Sequence, residues 1–143
     1  LASVPHERRT APEFQKAVGR MAHLCAARRR WLHRLGQWPE TPHLFPTETT
    51  LDDLPEMVAG TEAGWTQYLD GLADADLARE IEWQLADGRR FRWNVEGILT
   101  QTFGHAWYHR GQVAQLVAGL GGRAVDTDYI LWCKPTQIEP EKR

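Results

Sequence analysis

Residues 95–120 constrain the fold of this chain more than any other stretch. Apolar side chains recur there at helical spacing from Val95 to Leu120, and Gly121-Gly122 follows as a stop. His105 and His109 lie inside this helix at i and i+4, so both imidazoles point the same way, about 40° apart around the axis. Ile98, Val113, Leu116 and Leu120 share that arc. Two basic rings on an apolar stripe need partners, because burying an unpartnered polar group costs on the order of a few kcal/mol. A divalent metal is one such partner, and hydrogen bonds to backbone or carboxylate are the other. A second stripe, Gly104, Gly111, Ala114 and Ala118, occupies the far side of the helix. Its small side chains admit another helix closely, from the same bundle or from a second subunit.

The remaining segments are mostly helical as well. Thr10-Ala11-Pro12-Glu13 reads as a capping box with Pro in the first turn, opening a helix that runs to about Leu35 and stops at Gly36 and Pro39. A Pro- and Thr-rich connection leads through Thr50. The next helix spans Leu51 to Leu72, with Leu54, Val58, Trp65 and Leu69 at helical spacings. Between residues 80 and 95 the period changes. Ile81, Trp83 and Leu85 alternate with polar residues, Asp87-Gly88 intervenes, and Phe91, Trp93 and Val95 alternate again. This pattern predicts a short β-hairpin or an extended excursion around a tight turn. The tail from Ala124 to Arg143 carries the apolar run Tyr129-Ile130-Leu131-Trp132, expected to fold back over the helices.

A chain of 143 residues suits a single domain, 1–143, with a core of its own. The net charge of −2 argues against nucleic acid or a membrane surface as the main partner. That charge is unevenly spread: residues 1–38 hold eight Lys/Arg against two Asp/Glu, and residues 39–87 hold one against twelve. Such asymmetry fits a bipolar surface for a partner or anionic substrate, or solvated helix faces that complement each other. Cys25 and Cys133 lie far apart, without the spacing of a zinc ribbon or a redox dithiol, and Cys25 reads as a core residue. No signal peptide or long apolar stretch occurs, which leads us to expect a cytoplasmic protein. Leu1 is not an initiator Met and leaves the N-terminus open.

His6, His33 and His43 fall in the basic start, near a helix end and in the Pro-rich connection. His23 sits inside the first helix. The segment from His23 to Gly36, with Trp31-Leu32 eight residues after the histidine, resembles the second helix of the DinB/YfiT-like family of metal-binding four-helix bundles. His105 to Val113 resembles that family's histidine–arginine–glycine–glutamine signature in its last long helix. Thr127-Asp128 followed by an aromatic is similar to the family's usual ending. The resemblance covers most of the chain.

It implies an all-α, up-down-down-up four-helix bundle and a three-histidine site made of His23, His105 and His109. Three imidazoles plus water are the ligand set of an open, reactive centre. One divalent metal ion is implied, Zn, Ni or Fe, since neutral imidazole suits all three. Members of the family include thiol-dependent S-transferases and isomerases that use low-molecular-weight thiols, so a small-molecule substrate and a thiol cofactor are implied, together with a homodimer. The family opens with a long helix before the one bearing the first histidine. Only Leu1 to Pro5 stands in that place here, which reads as the very end of that helix, either shortened in this chain or replaced by a partner.

A helical wheel puts His23 at the edge of its apolar stripe, beside Lys16, Arg20 and Arg30, which fits a rim ligand of an open groove and equally a plain surface histidine. Gln112 is placed to orient an imidazole or to bond at the helix surface. Arg110 is expected to pair with Asp128 or Glu96, or to bind substrate. Trp31, Trp93 and Tyr108 line a pocket or fill the core. Two functions remain in view. One is a metal-dependent enzyme performing thiol S-transfer or hydrolysis, and the other is a non-enzymatic dimeric stress-response or binding module with a structural metal.

Overall fold

The computed structural model describes residues 1–133. It is mostly helical, with helices α1 (Pro12–Arg34), α2 (Leu54–Asp70), α3 (Val95–Gly119) and α4 (Tyr129–Cys133). Strands β1 (Glu80–Gln84) and β2 (Arg90–Asn94) form one antiparallel pair, and 3-10 turns cover His6–Arg8 and Asp74–Ala78. Residues 1–5 form a turn rather than a helix end, and Val4 is buried in the core. Among the described residues, no helix is long and apolar enough to cross a membrane.

The α1 helix is central, with both α2 and α3 packing on it. One core cluster joins Val4, Phe14, Val18, Ala22 and Leu54 to Val113, Val117 and Leu120. A second joins Leu32, Leu35, Trp65 and Tyr68 to Ile81, Val95 and Ile98 under the hairpin. Full burial of a side chain such as Leu32 or Ile98 stabilises the fold by about 1.5–3 kcal/mol each. Between α2 and α3 lies an apolar groove of about 760 Å³, lined by residues including Leu54, Val58, Val113 and Val117.

The α1 start differs from the expected capping box. Ala11 is the N-cap, Thr10 makes no capping bond, and Pro12 follows. The Ala11 carbonyl accepts from Phe14 and Gln15 N–H, while Pro12 has no N–H to satisfy, so the hydroxyl is not needed. The far end stops as expected: Gly36 has φ +78°, and Gln37 N–H returns to the Leu32 carbonyl.

Helix α2 begins at Leu54, three residues later than expected. Its buried face is Leu54, Thr61, Trp65 and Tyr68, while Leu69 points outward. Thr61 is fully buried because its polar group is satisfied: the hydroxyl accepts from Arg29 Nε–H at 2.8 Å and donates to the Met57 carbonyl. Cys25 is buried in the core as expected, and burial pushes its thiol up from the ordinary range.

Residues 80–94 form the hairpin, pairing Ile81 with Trp93 and Trp83 with Phe91. Gly88, at φ +87°, supplies the turn. Arg34 of α1 lies 4.5 and 4.8 Å from the ring centres of Trp31 and Trp83, locking the hairpin to α1. The Asn94 that ends β2 also caps α3, its side-chain oxygen accepting from Gly97 N–H at 3.0 Å. The hairpin thereby sets where α3 begins and which way its histidines face.

The small-residue stripe of α3 takes no other helix among the described residues: Gly104 and Ala118 are exposed, and the returning chain at Thr127 approaches Gly111. Two further expectations change. Of the apolar tail run, Tyr129 packs on Phe103 and Trp107, but Ile130 and Leu131 are exposed. Residues 134–143 of that tail lie outside the described residues. Arg110 forms no ion pair among the described residues; its guanidinium sits 5.1 Å from the Trp107 ring instead.

Candidate metal centre

The buried stripe of α3 runs Val95, Ile98, Thr102, Ala106, His109, Val113, Val117. His109 thus occupies a core position, only 5% exposed, and His105 sits half-buried one turn earlier. The α1 helix lies against this face and brings His23 to the same spot. One ligand atom from each of the three histidines lies within 4.8 Å of the others, a group able to hold a metal ion.

Hydrogen bonds fix which nitrogen faces inward. His109 Nδ1–H donates to Gln112 Oε1 at 2.8 Å, and His23 Nδ1–H donates to the Leu44 carbonyl at 2.8 Å. Both bonds place the ring proton on Nδ1 and make Nε2 the lone-pair nitrogen, the tautomer a metal ligand needs; in His109 that lone pair accepts from His105 Nε2–H. The Nε2 atoms of His105 and His109 face each other at 3.1 Å. Among the described residues, nothing holds Nδ1 of His105, so that ring is free to shift its proton there and present a second lone pair.

Burial holds both α3 imidazoles below the usual histidine range. For His105 the charges of His109 and His23 add to burial. For His109 the Gln112 bond pulls the other way, while His23 and Arg20 reinforce the lowering. Neutral rings are the form that binds metal. These residues and their donor set fit a divalent ion.

The long connection contributes what the sequence did not disclose. Phe45 stacks on the His23 ring, with centroids 4.6 Å apart and planes within 4°. Leu44 and Phe45 together cover His23, so it is less open than a rim position implies. No pattern of spacing marks these two residues, since they sit in a loop without period. His33 is likewise engaged, between the Trp38 carbonyl and Thr41 Oγ1, whereas His6 and His43 are exposed. Trp31 and Trp93 line a separate aromatic pocket with Arg34 and Trp83. Tyr108 is exposed and lies edge-on to His109 at 5.0 Å.

Helices, hairpin and three converging histidines define a helical protein with a candidate metal centre. The chain belongs to the DinB family, whose model matches residues 1–142. Comparison with curated proteins and with solved structures gives no match.

Proposed function

We propose that the protein is a metal-dependent enzyme acting on a small molecule, with His23, His105 and His109 as the metal ligands. The observation that carries this reading is the convergence of the three imidazoles, two of them held by hydrogen bonds in the tautomer with Nε2 unprotonated. A divalent ion bound there supplies a Lewis acid that lowers the pKa of a bound water or holds a thiol as thiolate. Gln112 and the Leu44 carbonyl keep their imidazoles in the ligating tautomer, and Phe45 keeps water from one side of His23. No carboxylate joins the histidine cluster among the described residues, which favours thiol transfer over hydrolysis needing a general base.

The family's up-down-down-up bundle belongs to the same reading, in a single domain. A cytoplasmic homodimer is the accompanying assembly, for which exposed Ile130 and Leu131 offer apolar surface. The deciding experiment is metal content per chain by plasma mass spectrometry on untagged wild type and His109→Ala. One equivalent in the wild type and none in the variant is expected. No metal in either, with the fold intact, overturns the proposal.

A further inference from the structure

A second groove, of about 590 Å³, lies between the N-terminal half of α1 and the C-terminal half of α3. Arg8, Lys16 and Arg20 line it on one side, Gln112, Gln115 and Leu116 on the other, and Glu13 is its one acidic residue. Among the described residues, none of the three cations forms an ion pair or a side-chain hydrogen bond. Every ion pair among the described residues involves Asp87 and Arg89 or the charged residues of the hairpin.

No histidine lines this groove, but it adjoins the histidine cluster through two of its walls. Gln112 is both a wall of the groove and the hydrogen-bond partner of His109. Arg20 is both a wall and three residues before His23 on α1, about 4.5 Å along the helix axis. Lys16 is about one turn further on. A molecule reacting at the cluster and extending along this groove would lie with one end beside unpaired positive charge.

We propose that the substrate or co-substrate of this centre is anionic, and that Arg20, backed by Lys16 one turn beyond it, grips its carboxylate or phosphate at the edge of the centre. This rests on the reading of the histidines as a metal centre. A guanidinium matches either oxyanion in planar, two-pronged fashion, and Lys16 adds a point charge beside it. The amides of Gln112 and Gln115 supply neutral donors. Glu13 repels a second negative charge at the outer end.

The test uses the Co(II)-loaded protein, whose visible spectrum reports thiol binding, titrated with 3-mercaptopropionate and with 2-mercaptoethanol at low salt. The carboxylate-bearing thiol is expected to bind about fivefold tighter, the worth of one or two solvent-accessible ion pairs. In the Arg20→Gln, Lys16→Gln double variant, cobalt content stays at the wild-type level and the preference falls to parity. Equal affinities in the wild type, or a preference that survives the double substitution, overturns the proposal. A cobalt spectrum that responds to neither thiol overturns thiol binding at the metal and leaves the anion grip to a second measurement. There, metal-free protein is titrated with succinate and with inorganic phosphate while backbone amide shifts are followed. Shifts centred on Lys16, Arg20 and Gln112 are expected, and whichever anion produces them identifies the group; no shift with either refutes the grip.

Discussion

His109 and Gln112 are joined by a 2.8 Å hydrogen bond that decides which nitrogen of a core imidazole is free. Replacing Gln112 by Leu removes that constraint without adding bulk to the cluster. Metal affinity is expected to fall about ten- to a hundredfold, with the helix content unchanged. Competition with a chromophoric chelator measures it.

Phe45 is 61% exposed, so its removal costs the fold little, yet its ring stacks on His23. Phe45→Ala is expected to keep thermal stability within about 0.5 kcal/mol of wild type and to speed metal release several-fold. Stopped-flow transfer of metal to excess chelator separates the two effects.

Metal and acid act on stability through the same rings. An ion present at a hundred times its dissociation constant stabilises the native state by about 2.7 kcal/mol, and His109→Ala abolishes that gain. In metal-free protein, His105 and His109 are harder to protonate folded than unfolded. The unfolded chain therefore takes up protons first as pH falls, and stability is lost on descending through about pH 6.5 and below. Above about pH 7.5 the rings contribute no pH dependence. Melting curves of the metal-free protein from pH 8 to pH 5 check the direction.

Two glycines of α3 predict opposite signs. A Cβ at Gly97 collides with the Trp93 indole nitrogen and stands 2.8 Å from Asn94 Oδ1, whereas one at Gly104 meets nothing within 4 Å. Gly97→Ala is expected to destabilise by about 1–3 kcal/mol, and Gly104→Ala to stabilise by about 0.5–1 kcal/mol. Urea midpoints of the two variants, read at equal m, decide it.

Periodicity and motif made much of this legible beforehand. The HxxxH spacing put His105 and His109 on one face, family resemblance added His23, and the change of period at residues 80–95 marked the hairpin. What escaped notice depended on contacts distant in sequence. Leu44 and Phe45 sit in a loop whose path along α1 leaves no trace in spacing. Thr61 reads as polar, and only the Arg29 and Met57 partners make its burial affordable. Thr10 has the chemistry of a cap, but the turn before Pro12 makes the cap redundant. Arg110 found the Trp107 ring in place of a carboxylate.

His23 comes from the helix near the chain's start, and His105 and His109 come from its last long helix. An ion bound by all three would be a clasp between distant segments, comparable in effect to a disulfide closing a long loop. It would shrink the unfolded ensemble as well as bind the native one. Folding with the ion present would then hinge on the long-range meeting of α1 with α3, and α2 with the hairpin would be free to order on either side of it.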